Sequence, residues 1–313
     1  MVYQEKTKII SNDRINKDCF KLSLNSPKIA FAAVPGQFVS IRVSGADVPL
    51  LRRPFSIHGL VYSQGAAGKR KIKKPKADAI EILYEVVGKG SEILSQKMRG
   101  EYLDVIGPLG NGFKIKSPVN SHQSPVLVAG GMGVAPLVFL AERIAYSVER
   151  IAQSNEKKEL KLSAKRYPLN AIVLIGARTK SQILCEDEFR KLGYEVKIAT
   201  DDGSYGFKGK VTDLLDNYIT HYTLHVTHVL YACGPKPMLK EIGKISTKYG
   251  IPAQISLEAH MACGIGACLG CVVKLNPPAF DDSLGLEHKT DFEYKRVCKD
   301  GPVFNADEII WEG

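Results

Sequence analysis

Three kinds of hydrophobic spacing succeed one another along this chain. Up to about residue 118, apolar and polar positions alternate over short stretches: KIISN, FKLSLN, QFVSIRV, FSIHGLVYS, AIEILYEVV and EYLDVIGPL. A period of two marks a strand with one face in a core and one in water. The turns VPGQ and GPLGNG punctuate these stretches. Short strands separated by Gly and Pro predict a small antiparallel β-barrel. KGSEILSQKM at 89–98 departs from the alternation and predicts one helix across an end of it.

Between about 119 and 250 the pattern becomes apolar runs, each followed by helical spacing. PVLVAGGMGVAPL leads into VFLAERIAYSVERIAQ, and NAIVLIGAR into CEDEFRKLG. YEVKIATDDG leads into VTDLLDNYI, and HVTHVLYACGP into KPMLKEIGKISTKYG. Unbroken apolar strands are buried on both faces. Strand–helix repetition then predicts a parallel sheet flanked by helices. The remainder, about 251–313, follows neither rule, and DDSLGLEHKTDFEYK within it reads as a polar excursion. So short a unit depends on a bound group and on its neighbours for stability. The expected fold class is therefore multidomain β plus α/β, divided as 1–118, 119–250 and 251–313.

A length of 313 residues suits two or three domains, and a hydrophobic fraction of 44% is ordinary for a globular protein. No run of 18 apolar residues occurs, so no membrane-spanning helix is expected. MVYQEKTKIISNDRI has no apolar core or cleavage pattern, which argues against secretion. The formal charge is +10, but GKRKIKKPK at 68–76 alone holds six basic residues and no acid. That run has no aromatic residue and lies between strand-like segments, so it reads as a solvated loop rather than a nucleic-acid groove. Of the seven cysteines, Cys19, Cys185 and Cys233 suggest no disulfide framework, and a cytoplasmic location fits them.

The other four cysteines carry the strongest chemical signal. Cys263, Cys268 and Cys271 stand in AHMACGIGACLGCVV, and Cys298 stands in YKRVCKDGPVF. The spacing C-x4-C-x2-C, then twenty-six residues, then C, is the plant-type ligand run of a [2Fe–2S] cluster. Small residues between the close cysteines let backbone N–H groups wrap the sulfurs. Structural zinc is the competing reading, although zinc sites usually take cysteines in pairs.

Other loops fit a redox reading. AGGMGVAP at 129–136 follows a strand and starts a helix, placing Gly130, Gly131 and Gly133 where a phosphate can approach. It is not a G-x-G-x-x-G fingerprint, and an ordinary packing turn is the alternative. YACGP, with Cys233, Gly234 and Pro235, ends another parallel strand, as do IGAR at 175–178 and TDDGS at 200–204. Ligands bind at such carboxyl ends, and a nicotinamide dinucleotide is expected. In LRRPFSI, Arg53 suits a phosphate, while Phe55 and Ser56, which follow Pro54, suit a flavin ring. A surface arginine pair and a core Phe is the alternative. Gly88, Lys89, Gly90 and Ser91 form a possible pyrophosphate seat at a helix start. NAD(H) exchanges a hydride and the cluster one electron, so a flavin belongs between them. Asp201 and Asp202 in TDDG favour NADH over NADPH, whereas Lys180 leaves the choice open.

Taken together, these motifs resemble the ferredoxin–NADP reductase superfamily over nearly the whole chain. More closely, they resemble the electron-transfer subunits of the NAD-dependent, two-subunit dihydroorotate dehydrogenases. The resemblance rests on RRPFS at 52–56, GKGS at 88–91, GGMGVAP at 130–136, CGP at 233–235, and MACGIGACLGCVVK with YKRVCKDGPVF. It implies a ferredoxin-reductase-like FAD-binding barrel, a nicotinamide domain and a cluster domain. It also implies FAD, one [2Fe–2S] cluster, Cys233 facing the nicotinamide, and a catalytic partner that holds FMN. Activity would be electron relay in pyrimidine (UMP) biosynthesis, within a heterotetramer of two plus two chains. Stretches near 65–78, 153–168 and 276–292 look longer than the family needs. Two other readings differ in class. One is a diaphorase subunit of a related hydrogenase, sulfide dehydrogenase or ferredoxin-linked transhydrogenase. The other is a zinc-stabilised binding module.

Overall fold

Ile9, Leu22, Leu24, Val39, Ile41, Ile80, Ile82, Leu103 and Val105 point into one core from a seven-stranded sheet. The sheet holds β1 (Tyr3–Arg14), β2 (Cys19–Asn25), β3 (Phe38–Arg42), β4 (Arg53–Ser56), β5 (Gly59–Tyr62), β6 (Ala77–Glu85) and β7 (Tyr102–Leu109). Their order is β4-β3-β7-β1-β2-β6-β5, antiparallel throughout. FSIHGLVYS is not one strand. At Ile57–His58 the chain leaves the β3 edge and joins the β6 edge, with Ile57 N–H donating to Gln37 and His58 N–H donating to Glu81. That crossing curls the sheet into a half-barrel. The coordinates are a computed structural model, and they describe all residues except 46–47, 63–76, 116–122, 154–170, 223–226, 278–290 and 312–313. The basic run at 68–76, and most of the two later long stretches, lie outside the described residues.

Two short helices pack on the barrel. α1 (Pro27–Ala32) buries Ile29 and Ala30. Its N-terminus is held from β1, where Glu5 accepts hydrogen bonds from Ser26 Oγ at 2.7 Å and from Ile29 N–H at 3.3 Å. α2 (Lys89–Ser95) buries Leu94 and stops short of the expected residue 98. Asn12 Nδ2 donates to the carbonyls of Leu94 and Lys97, both at 2.9 Å, so β1 takes over where the helix ends.

The second sheet has the order β11-β10-β9-β8-β12-β13-β16. It is built from β8 (Gln123–Gly130), β9 (Ile172–Ala177), β10 (Glu195–Thr200), β11 (Phe207–Lys208), β12 (Thr227–Cys233), β13 (Ala253–Ser256) and β16 (Val303–Asn305). All pairings are parallel except β13 with β16. Its last two strands come from beyond residue 250. Its helices are α3 (Val134–Gln153), α4 (Glu186–Lys191), α5 (Val211–Tyr222) and α6 (Lys236–Tyr249). One face packs on α3 and α4 through Leu127, Val173, Ile175, Val138 and Phe189. The other packs on α5 and α6 through Val126, Leu174, Leu215 and Leu239. That second core runs on into Phe38 and Leu109 of the barrel and into Cys271, Val297, Cys298 and Phe304. The cysteine unit, whose own sheet is only β14 (Val272–Leu275) with β15 (Glu293–Arg296), is thus anchored in a core shared with both other units. Among the described residues no helix is long and apolar enough to cross a membrane.

Candidate functional site

In the second sheet, β8 lies between β9 and β12, so the strand order reverses beside β8. Ligands bind outside the carboxyl ends of strands at such a point. Gly130 ends β8, Gly131–Gly133 form one 3-10 turn, and α3 follows. Across from them β12 ends at Cys233, followed by Gly234 at φ +155°. The glycines divide into two kinds. A Cβ on Gly133 would overlap the Cys233 carbonyl, and one on Gly130 would lie 2.6 Å from Met238 Sδ. These two let the loops pack against each other. Gly131, at φ +53°, has nothing within 4 Å of its Cβ position and faces open space. Of the three it is the one that leaves room for an approaching group such as a phosphate.

Cys233 is 2% exposed. Burial pushes its thiol well above the usual range, Glu258 adds to the rise, and a hydrogen bond with the Ser256 side chain works against it. The thiol is therefore neutral at physiological pH, so it suits contact rather than nucleophilic chemistry. Ser256 and Glu258 were not singled out from the sequence, because β13 and the two residues after it carry no glycine or cysteine signal of their own. At the neighbouring strand ends, Asp202 Oδ1 accepts from Ser204 N–H at 2.9 Å and Ser204 Oγ at 2.6 Å. Those bonds hold its carboxyl below the usual range. Lys180 N–H donates to Ser204 Oγ at 2.8 Å, and its ammonium lies over the Tyr205 ring, so both loops form one rim.

RRPFS forms β4 with its last four residues, RPFS, on the sheet edge, which is where a strand tolerates Pro54. Its two arginines have different surroundings. Arg52 is bound to Asp104, by Nη2 to the carboxylate at 2.5 Å and by Nη1 to the carbonyl at 2.9 Å. Arg53 instead lies over the start of α2, where a Cβ on Gly90 would be 2.6 Å from Arg53 Nε. This close approach brings the two flavin-type motifs together. Ser91 Oγ accepts from the N–H groups of Val87 (2.9 Å) and Gly88 (3.2 Å), so it shapes the turn. Lys89 stays exposed beside Glu92. Phe55 meets Tyr84 edge-on at 5.6 Å, and Ser56 pairs with Phe38.

The cysteine loop presents sulfurs in two pairs. Cys263 Sγ accepts from Ala267 N–H at 3.3 Å and Cys268 N–H at 3.4 Å. Cys271 Sγ accepts from Cys298 N–H at 3.4 Å. Gly270 N–H points at Cys268 Sγ at 3.4 Å. Two pairs with surrounding N–H donors match a binuclear cluster, each iron taking two thiolates. The loop needs left-handed backbone at Gly264 (φ +69°) and Gly266 (φ +85°). Arg296 fixes it by donating to the Gly266 carbonyl at 3.2 Å while bound to Asp300. Desolvation works against ionisation of Cys263, yet the N–H groups of Ile265, Cys268 and Ala267 outweigh it and lower the thiol to about 6. Burial, and then the neighbouring Cys271, raise Cys298 to about 12. Cys268 is exposed, with Ile265 and Leu269 beside it also exposed, so one edge of the loop faces outward.

Residues 258–282 and 283–310 match the iron-sulfur cluster binding domain of dihydroorotate dehydrogenase B, and residues 127–244 match an oxidoreductase NAD-binding domain. The chain is 37% identical over 305 residues to the electron transfer subunit of dihydroorotate dehydrogenase B (NAD(+)) from Desulforamulus reducens, covering 97% of each chain. It is 36% identical over 310 residues to the subunit of that description from Geobacillus thermodenitrificans, covering 99% of this chain and all of the relative. Among solved structures, an NADH-dependent reduced ferredoxin-NADP oxidoreductase studied for flavin-based electron bifurcation is similar at a TM-score of 0.71 and 28% identity, covering 98% of this chain and 90% of that one. A ferredoxin NADP+ reductase from Neisseria gonorrhoeae, with bound FAD and NADP, shares the fold at a TM-score of 0.56 and 15% identity, covering 79% and 92%.

Proposed function

Since the chain belongs to the family of electron-transfer subunits of dihydroorotate dehydrogenase B (NAD(+)), we propose which of its residues carry that function and with whom. It is the NAD-dependent relay of that enzyme, with FAD and [2Fe–2S] as its cofactors, in pyrimidine (UMP) biosynthesis. When bound, FAD exchanges a hydride with the nicotinamide and single electrons with the cluster, which in turn serves the catalytic subunit's FMN. The pathway direction runs from dihydroorotate to NAD+.

Cys263, Cys268, Cys271 and Cys298 hold the cluster. Arg53 binds the FAD phosphates beside Gly88, Lys89 and Gly90, with Ser91 setting that turn. Pro54, Phe55 and Ser56 line the flavin ring. Gly131 admits the dinucleotide, Gly130, Gly133, Gly234 and Pro235 shape its cradle, and Cys233 touches the nicotinamide. Segments 1–118, 119–250 and 251–313 serve FAD, NAD(H) and the cluster in turn. Asp201 and Asp202 repel a second ribose phosphate, so NADH is preferred over NADPH. The partner is a catalytic dihydroorotate dehydrogenase subunit, two of each chain assemble in the cytoplasm, and this chain binds no dihydroorotate.

One observation carries the reading: the four cysteines stand in two N–H-lined pairs, three in a loop whose Gly264 is set against β3, next to β4, and Cys298 from the turn after β15. Anaerobic purification from the source cell tests it. About two irons and two labile sulfides per chain are expected, with FAD released by acid and an FMN-bearing partner in the same complex. Zinc in place of iron, FMN alone in this chain, or a hydrogenase as the partner would contradict it. Ser at any of the four cysteines should lower the iron content, and Cys19→Ser should not.

A further inference from the structure

We infer that His58, Cys185 and Glu188 form a zinc site that joins the barrel to the nicotinamide-type domain. Among the described residues, this is the group of three His, Cys, Asp or Glu side chains whose ligand atoms all lie within 4.8 Å of one another. The three come from separate places: His58 from the link between β4 and β5, Cys185 from the residue before α4, and Glu188 from its first turn.

His58 is 1% exposed, and both ring nitrogens face acceptors. Nδ1 lies 3.2 Å from the Ala135 carbonyl, which can only accept, so Nδ1 carries a proton. Nε2 then points at Glu188 Oε2, 3.0 Å away. A proton on Nε2 makes this contact an ion pair, and a cation in the proton's place satisfies both lone pairs. A backbone carbonyl on the far ring nitrogen is also what fixes a metal-ligating histidine. Glu188 is positioned in the same way, since Lys21 Nζ holds Oε1 at 2.8 Å and leaves Oε2 toward the histidine. Cys185 adopts φ +62°, a left-handed backbone that non-glycine residues seldom take. That turn brings its thiol to within 4.8 Å of the Glu188 carboxylate, three positions on.

An imidazole nitrogen, a thiolate and a carboxylate together select zinc rather than calcium or magnesium. Cys185 and Glu188 line an open cavity of about 380 Å³, which supplies an entry path and room for water as the fourth ligand. Binding replaces the thiol proton and any proton on Nε2, and both leave to solvent. The inference stands whether or not the electron-relay assignments above hold.

The test is a calorimetric titration of Zn²⁺ into the iron-replete, flavin-loaded, chelator-washed chain under anaerobic conditions. One zinc per chain is expected, with affinity falling at least about tenfold in Cys185→Ser and in His58→Gln. Cys19→Ser, with its iron and flavin contents unchanged, should titrate like the wild type. X-ray absorption at the zinc edge should show one sulfur at about 2.3 Å and lighter ligands at about 2.0 Å. If His58→Gln loses flavin, Cys185→Ser decides alone, because Cys185 is partly exposed at a helix start. Absent stoichiometric binding, binding indifferent to Cys185→Ser, or an all-sulfur zinc shell would overturn the inference.

Discussion

Gly264 abuts Ser40: a Cβ on this glycine of the cysteine loop would stand 3.3 Å from the Ser40 hydroxyl on β3. Ser40 is the register partner of Pro54, so the loop lies one strand away from the RRPFS segment. The order RRPFS segment, β3, cysteine loop is thus built into direct packing. Gly264→Val should disturb that junction, since φ +69° costs an L-residue roughly 1–2 kcal/mol and the side chain meets Ser40. Stopped-flow absorbance under anaerobic conditions should show NADH reducing the flavin normally and the cluster more slowly. Equal cluster rates in variant and wild type would remove the junction from the electron path.

The two arginines of RRPFS should separate in mutants. Arg52→Ala removes a half-buried ion pair with Asp104 and should cost about 1 kcal/mol of stability, leaving FAD affinity near wild type. Arg53→Ala should weaken FAD by about tenfold or more, which is 1.4 kcal/mol, with little change in the melting temperature of the flavin-free chain. Flavin retention, with thermal melting of the flavin-free proteins, checks both. The opposite assignment of losses would return Arg53 to the role of a surface residue.

How far the fold could be read beforehand follows from how local each signal was. The cysteine run declared its chemistry because three ligands lie within nine residues, and the strand–helix repeats of the second unit were equally local. α1 was not legible, since six residues are too few to show a helical period and its N-terminus is held by Glu5 from another strand. Nor was the break at Ile57–His58, because the apolar run continues through it while the hydrogen-bond partners change from β3 to β6. β16, three residues long, enters the second sheet only by pairing with β13. Within the site, both arginines of RRPFS look alike in sequence, and only Asp104 distinguishes them. The meeting of Lys21, His58 and Glu188 leaves no periodic trace.

At the switch point, Gly131 and Gly133 should also differ. Gly133→Ala forces a methyl into the Cys233 carbonyl and should destabilise the fold by 1–3 kcal/mol as an order of magnitude. Gly131→Val should leave a folded, flavin-bearing protein whose KM for NADH rises by about tenfold, because only the open approach is filled. Steady-state reduction of an artificial acceptor checks it. An unchanged KM would make Gly131 an ordinary turn glycine.

Stability should depend on His228 in mild acid. Burial holds its imidazole below its ordinary pKa of 6.5, with the Ser124 backbone working weakly the other way, and among the described residues neither ring nitrogen has a partner at full hydrogen-bond geometry. The unfolded chain therefore binds a proton there that the folded one refuses. That contribution is complete above pH 6.5 and is lost as pH falls below it. His228→Leu should narrow the drop in melting temperature between about pH 7.5 and 5.5. An identical drop in both proteins would show that another group sets the acid limb.

The most direct test of the relay itself is dihydroorotate-dependent reduction of NAD+ by purified chains. With this chain and its catalytic partner combined, NADH should form, and Cys268→Ser should abolish its formation while NADH oxidation by an artificial acceptor persists. Each chain alone should form none. NADH formation from dihydroorotate by this chain without a partner, or by the pair with Cys268→Ser at the wild-type rate, would contradict the account.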